Sequence, residues 1–421
     1  MLYPLHQAQQ DVLDRFRPLA LGAADLLRAC DTGAPAALPL AQAAAALRLL
    51  EGAGTTHRRP PFGLARVRVG GRGTVAVREE VVRATPFCTL RRFAKDVSDP
   101  GPRVLVAAPM SGHFATRLRG TLAGLLPEHD VHVTDWTDAR EVPAAAGPFG
   151  LDDMVALLVE CLEALGPGAH LLAVSQAAVA ALAAAALMAE DAHPARPRSL
   201  TLVAGPVDAR VNPTREETLA RLLPLAWIER AAVDTVPPGY PGAGRRVRPG
   251  ARQLASSVLS DLPRHLGAHL AQFANLLGGD AAAAEAHRRL YGELRAVMDV
   301  PAEIHLDTVR RVFREHEPAL GRMAWRGRPV RLEAIRDTAL LVVEGERDET
   351  CPPGQTRAAL ELCAGLGPGL GRHHLQPGAG HDDLFEGPTW AAEIRPLVGE
   401  VIRSGDRRRP PPGPGASAGP G

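Results

Sequence analysis

Lysine is almost missing from this 421-residue chain. Lys95 is the only one, so nearly all of the 48 basic residues are arginine. Set against 47 acidic residues they leave a formal net charge of +1, which removes any global electrostatic reason to expect a nucleic acid or an acidic membrane as partner. Aromatic side chains make up only 4% of the chain, so a core has to be built from Ala, Leu and Val. The accompanying wealth of Arg, Ala, Gly and Pro reads as GC-rich codon usage rather than as a functional signature. The five cysteines (Cys30, Cys88, Cys161, Cys351, Cys363) are odd in number, scattered and free of C-x-x-C spacing. That excludes a disulfide framework and a zinc site, and no metal or other cofactor is expected. The opening MLYPLHQAQQDVLDRF has no basic stretch leading into an apolar one, so no secretory signal is expected and a reducing cytoplasm fits. Only residues 171–189 are long and uncharged enough to suggest a membrane span. About half of them are Ala, and Ser175-Gln176 interrupt the run, so a buried strand followed by a buried helix is the better reading, with no transmembrane segment.

What is present has a clear order. Residues 3–31 and 36–51 carry helical spacing and are joined by DTGAP at 31–35. Beyond HRRPPFG (57–63), β-branched runs at 66–69 and 75–82 suggest a hairpin. Continuous apolar runs then begin at 104–109, 131–135, 170–175, 200–205 and 339–345, the first four separated by helical patterns such as 114–126 and 151–166. Strands without polar alternation, divided by helices, call for a mostly parallel sheet covered on both faces. The alternation stops after Gly205-Pro206 and resumes at Ala339. The expected organisation is therefore an N-terminal helical segment (1–60), an α/β core (61–206), an inserted helical cap (207–335), the rest of the core (336–405) and a Pro/Gly-rich tail (406–421) too poor in apolar residues to fold.

The chemistry centres on AVSQA, 173–177. An apolar strand ends there and an Ala-rich helix begins, as at the sharp turn that lifts a nucleophile above an α/β-hydrolase sheet, with Ala173 and Ala177 in place of the usual glycines. Downstream, ALLVVEGERDET (339–350) ends a buried strand in acids, and LQPGAGHDD (375–383) sets His381 on a Gly-rich loop. The order Ser175, Asp348, His381 is that of α/β-hydrolases and not of trypsin-like or subtilisin-like enzymes. The interval from Asp348 to His381 has room for a helix at 356–364 and a strand at 372–375. Glu346 and Glu349 compete with Asp348 as the partner of His381. Asp382 and Asp383 either act on the imidazole or cap a following helix. APMSGHF (108–114) follows a strand where this fold places an oxyanion-hole donor. That nominates the backbone N–H of Met110 or Ser111 to act with that of Gln176. His113 and Trp136 are candidates for contact with substrate.

The blocks TPFCTLRRFAKD (85–96), PRVLVAAPMSGHFATRLRGT (102–121), HDVHVTDWTDAREVP (129–143), YPGAGRRVRPG (240–250) and TALLVVEGERDE (338–349) resemble the intracellular polyhydroxyalkanoate (poly-3-hydroxybutyrate) depolymerases. The resemblance covers nearly the whole chain apart from the tail. It implies an α/β-hydrolase fold, a polyhydroxyalkanoate polymer or granule surface as partner, and hydrolysis of the polymer's ester bonds. It also implies a cysteine nucleophile in a motif close to V-C-Q-P, where this chain has V-S-Q-A with Ser175. The family's histidine loop reads GHYGVF or similar, and here it is GHDDLF (380–385). The acidic match GERD (345–348) is intact. Serine suits an ester but relies wholly on His381 to remove its proton. The expected function is thus a granule-associated carboxylic ester hydrolase. The alternatives are a catalytically inactive granule-binding paralogue and an acyltransferase that delivers the acyl group to coenzyme A.

Overall fold

The continuous apolar runs become parallel strands. In the computed structural model, which describes residues 2–30, 38–51, 54–260 and 262–408, they lie in one sheet of nine strands. These are β1 (Arg66–Val69), β2 (Gly73–Ala84), β3 (Cys88–Lys95), β4 (Arg103–Ala107), β5 (Asp130–Trp136), β6 (His170–Val174), β7 (Ser199–Val203), β8 (Ala339–Gly345) and β9 (Gly371–Gln376). Their spatial order is β1-β2-β3-β5-β4-β6-β7-β8-β9. Strands β4 to β9 run parallel, and β1 to β3 form an antiparallel edge joined to β5. Every residue of β5, β6, β7 and β8 is buried, which explains why none of these strands alternates in polarity. With helices on both faces, this is an α/β-hydrolase fold.

Strand β3 is not evident from sequence pattern because it carries Arg91 and Arg92 in its middle. Both are neutralised across the sheet: Arg91 Nε lies 2.5 Å from Asp135, and Arg92 Nε lies 2.9 Å from Asp130. Burial raises the Asp135 carboxyl above its ordinary range, against the opposing charges of Arg59 and Arg91.

Helices α1 (Leu2–Ala29) and α2 (Leu38–Glu51) precede the sheet, and α3 (Arg119–Leu125), α4 (Leu151–Leu165) and α5 (Ala177–Glu190) alternate with its strands. The turn expected at 31–35 and the tail from 409 onward lie outside the described residues. Twelve consecutive residues of α5, Ala177–Met188, are buried, as expected of a helix that is apolar on every side. At 14 residues it is well short of the ~20 needed to cross a bilayer, and no described helix is long and apolar enough to do so.

Between β7 and β8 come α6 (Arg215–Leu222), α7 (Leu225–Ala232), α8 (Gly250–Ser260), α9 (Leu262–Gly278), α10 (Ala281–Arg295) and α11 (Ala302–Asp307). This helical segment also holds a small three-stranded sheet and a two-stranded one. It is tied back to the β4 loop, since the Met298 N–H donates to Gly112 O at 2.9 Å and His113 bridges Val297. The N-terminal hairpin leans on it as well, with α2 packed on α9. After β8 come α12 (Ala358–Leu362), β9 and a closing helix, α13 (Arg395–Arg408), which continues past the expected end of the core.

Two glycines set how closely the parts approach. A Cβ on Gly205, just past β7, would lie 2.2 Å from the Ala178 Cβ in the first turn of α5. A Cβ on Gly345, at the end of β8, would lie 2.7 Å from Ala379 O in the loop that carries His381. Neither neighbour is a flexible side-chain end. Gly205→Ala is therefore expected to destabilise the protein by about 1–3 kcal/mol through overpacking. Denaturant unfolding of the variant beside wild type measures this, and an unchanged midpoint would contradict the close approach.

Candidate active site

The turn from β6 into α5 takes two residues, Ser175 and Gln176. Ser175 has φ of 52°, a left-handed backbone conformation that costs a non-glycine residue energy and that the surroundings must enforce. They do so from both sides. The Ser175 N–H donates to Val203 O at 2.8 Å, its carbonyl accepts from the Ala178 N–H at 3.0 Å, and Ala173 and Ala177 are fully buried beside it. Any larger side chain at those two positions would have to be housed in the strand–helix crowding, so alanine meets the spatial demand that glycine usually meets there.

Asp348 and His381 come to the same edge of the sheet, beyond the C-terminal ends of β8 and β9. The two loops that carry them are stitched together. Glu346 N–H donates to Gln376 O at 3.0 Å and Arg347 N–H donates to Ala379 O at 2.9 Å. The Glu346 carboxylate accepts from the Gly378 N–H at 2.7 Å, and Glu349 is exposed. Neither acid pairs with the histidine. Asp348 does: its Oδ2 lies 2.7 Å from His381 Nδ1, while its Oδ1 accepts the N–H groups of Thr350 and Cys351, each at 2.8 Å. The carboxylate is 3% exposed, with both oxygens engaged, so it fixes the ring's orientation and assigns the Nδ1 proton. The imidazole edge also packs against Phe385 at 5.5 Å between ring centroids. No hydrogen bond joins Ser175 Oγ to His381 among the described residues. Such contacts are often long before substrate binds.

The departures in GHDDLF have structural uses. Asp383 accepts the Gly380 N–H at 2.9 Å and closes the turn before His381. Asp382 pairs with Arg117 at 2.9 Å. Against the cost of burial, the charges of Arg117 and His381 hold its carboxyl below the usual range.

Of the other nominated residues, the structure brings Gln176 and Met110 together in a way that residue order does not reveal. The Gln176 side-chain Oε1 accepts the Met110 N–H at 3.0 Å, so one nominated oxyanion donor already holds an acceptor of this chain's own. Ser111 lies in the same loop, half-buried. His113 is held neutral at pH 7: burial, and then the charge of Arg117, pushes it down to about 4, and its Nδ1 has no partner. Trp136 is a packing residue rather than an open contact. It is 2% exposed, donates its indole N–H to Ala108 O at 2.8 Å and sits edge-on to Phe149.

One cluster has the composition of a metal site. The ligand atoms of His57, Asp138 and Asp299 lie within 4.8 Å of one another. Each is spent on neighbours: Asp138 Oδ2 on His57 Nδ1 at 2.7 Å, Asp138 Oδ1 on the N–H groups of Arg140 and Asp299, and the two Asp299 oxygens on the Gly250 N–H and the Tyr3 hydroxyl. The cluster joins α1, the loop after β5 and the helical segment, and serves as a clasp. Sequence spacing had no means of showing it, because its members lie far apart along the chain.

Residues 204–406 match the family model described as PHB de-polymerase C-terminus. The match takes in the helical segment, Asp348 and His381, and it begins after Ser175. No curated protein matches the chain. Among solved structures the chain is similar to DcsB in complex with its substrate analogue, at 13% identity over 78% of this chain and 99% of that one, with a TM-score of 0.47. It is similar to an alpha/beta hydrolase fold protein from Nakamurella multipartita at 18% identity, over 81% and 99%, with a TM-score of 0.41. It is also similar to a monoacylglycerol lipase from Paleococcus ferrophilus at 15% identity, over 72% and 96%, with a TM-score of 0.44.

No cysteine occupies the turn that holds Ser175. Burial pushes Cys161 and Cys363 up to about 12, and Cys88 and Cys351 well above their usual value, whereas Cys30 is exposed. The native protein should thus show one fast thiol toward Ellman's reagent and five after denaturation. A second fast thiol would reveal a reactive cysteine that this geometry lacks.

Proposed function

We propose that this chain, which residues 204–406 place in the PHB de-polymerase family, hydrolyses the ester bonds of a poly(3-hydroxyalkanoate) with Ser175 as nucleophile. The observation that carries this reading is the His381–Asp348 contact at 2.7 Å, with Asp348 clamped by two backbone N–H groups. Ser175 stands on the same sheet edge in a turn that only tight packing sustains. A serine hydroxyl is too weak an acid to ionise at neutral pH, so its reactivity depends on a base already aimed. Asp348 supplies that aim.

Ser175 Oγ attacks an ester carbonyl as His381 Nε2 takes its proton. The negative charge on the carbonyl oxygen is met by the backbone N–H groups of Gln176 and of Met110 or Ser111, each worth on the order of 3 kcal/mol. For Met110 to take part, the Gln176 carboxamide must give up the N–H it now accepts. Collapse of the tetrahedral intermediate breaks the ester C–O bond, and His381 returns the proton to the departing alkoxide. Water, deprotonated by His381, then cleaves the acyl-Ser175 ester and releases a 3-hydroxy acid or short oligomer.

The helical segment supports a polymeric substrate. Trp227, Leu266 and Leu270 stand exposed on α7 and α9, at 65%, 55% and 71%, more apolar surface than a helix facing only water requires. Contact with an amorphous granule surface accounts for them.

Purified protein incubated with amorphous polymer granules is expected to release soluble 3-hydroxy acid. Ser175→Ala should lower the rate to background and Ser175→Cys should retain activity. Asp348→Asn should lose roughly 10⁴-fold, with its folded state intact by circular dichroism. Release of nothing by wild type, beside an active cysteine-containing relative, would overturn the proposal and return the reading to a granule-binding protein without turnover.

A further inference from the structure

The arginines buried in the described structure are paired. Arg198 lies 2.7 Å from Asp406, Arg311 lies 2.7 Å from both Asp152 and Glu317, and Arg245 donates to the carbonyls of Val142, Pro143 and Gly147. Arg248, half-buried on the short strand Arg246–Arg248, differs. Among the described residues no carboxylate or carbonyl accepts from it, and burial alone pulls its guanidinium down to about 10.

The alternation of that strand sets where the side chain points. Val247 enters the small apolar cluster of Tyr3, Ala139 and Val236, so Arg248 is turned to the opposite face. There it stands in register with Val300, which belongs to the main core. Two residues before Val300, the Met298 N–H donates to Gly112 O, in the loop nominated for the oxyanion. Gln253 of α8 lies against the same glycine, since a Cβ there would stand 3.0 Å from its Oε1. The elements on either side of Arg248 are thus fastened to the edge that carries the proposed active site.

Helix α11 packs on this strand and brings up His305, whose Nε2 is buried without a partner. Burial, and then the charge of Arg248, push His305 down to about 3, so a neutral imidazole sits beside the guanidinium. The acids of α11 are turned elsewhere: the charge of Glu303 acts on Arg245, and Asp307 accepts the Leu151 N–H at 3.1 Å. With its proton on Nε2, His305 adds a second unmatched donor to the cation. Such a pair asks for an anion with more than one oxygen.

We propose that Arg248, with His305 beside it, binds the free carboxylate at the end of a substrate chain. The terminal unit then lies on the leaving-group side of the scissile ester. Attack by Ser175 one ester in from that end breaks the ester C–O bond, and His381 returns the proton to the alkoxide of the departing 3-hydroxy acid. The rest of the chain stays on Ser175 as the acyl group until water removes it. The substrates so selected are chain ends and short linear oligoesters with a free carboxylate. This assignment rests on the ester-hydrolase reading above.

The linear dimer of 3-hydroxybutyrate and its methyl ester share one internal ester bond and differ in the terminal charge. Wild type is expected to cleave that bond in the acid with kcat/KM about ten- to a hundredfold above the methyl ester, the difference lying in KM. Arg248→Met should erase the preference and His305→Leu should reduce it, with Arg248→Gln serving where Arg248→Met does not fold. Calorimetric titration of Ser175→Ala protein with both dimers and with inorganic phosphate separates binding from turnover. Acid binding that disappears when Arg248→Met is added upholds the site even where wild type cleaves nothing, a result that would overturn the hydrolase reading alone. Equal affinity for acid and methyl ester, a preference that survives Arg248→Met, or phosphate bound as tightly as the acid would overturn the proposal.

Discussion

A strand that must become a helix within two residues has little freedom, and the C-terminal end of β6 is where the constraint falls. Ser175 adopts a left-handed backbone because its N–H is drawn to Val203 and its carbonyl to the Ala178 N–H. The neighbouring residues are small because nothing larger fits, and Gly205 is bare because α5 begins against it. The alanine-rich character of α5 follows from the same crowding. A helix buried on every side and pressed onto two strands needs short side chains, and close backbone approach substitutes for the aromatic bulk this chain lacks. Composition, fold and the position of the proposed nucleophile are thus one packing problem rather than three.

The proposed base is built differently, through polar contacts instead of crowding. Two loops of independent origin, one after β8 and one after β9, are laced by backbone hydrogen bonds and by Glu346. Asp348 then spends one oxygen on its own loop and the other on His381. A carboxylate so placed cannot rotate without losing two buried N–H contacts, so the imidazole inherits its rigidity. This matters more for serine than it would for cysteine. A thiol retains a few per cent of thiolate without help, whereas a hydroxyl has only the base.

Much of this was legible in residue order. Continuous apolar runs announced β4 to β8, because buried parallel strands have no solvent face to alternate against. The chain order of Ser175, Asp348 and His381 pointed to the fold, and AVSQA to the turn. Strand β3 escaped because Arg91 and Arg92 are polar only until Asp135 and Asp130 meet them across the sheet. Trp136 reads in the sequence as a candidate for substrate contact, yet its N–H is satisfied inside the core. Three acids stood within four residues at the end of β8, and no periodicity could choose among them. Only the folded loops show that Glu346 caps Gly378 and Asp348 turns inward. The Gln176–Met110 contact spans two strands, a relation carried by the sheet and by nothing in the local sequence.

That contact also bears on how the site is kept ready. An oxyanion hole consists of backbone donors facing a small space, and such donors are costly to leave unmatched. Here Gln176, the residue after the proposed nucleophile, reaches across with its own carboxamide and satisfies the Met110 N–H at 3.0 Å. The loop after β4 is thereby held against the start of α5 by the same N–H that a developing oxyanion would use. An amide oxygen is a neutral acceptor and an oxyanion a charged one, and hydrogen bonds to the charged acceptor are roughly twice as strong. The exchange therefore favours the transition state over the ground state, which is the direction catalysis requires. A single side chain can in this way keep the donor loop in place without competing effectively at the moment of reaction.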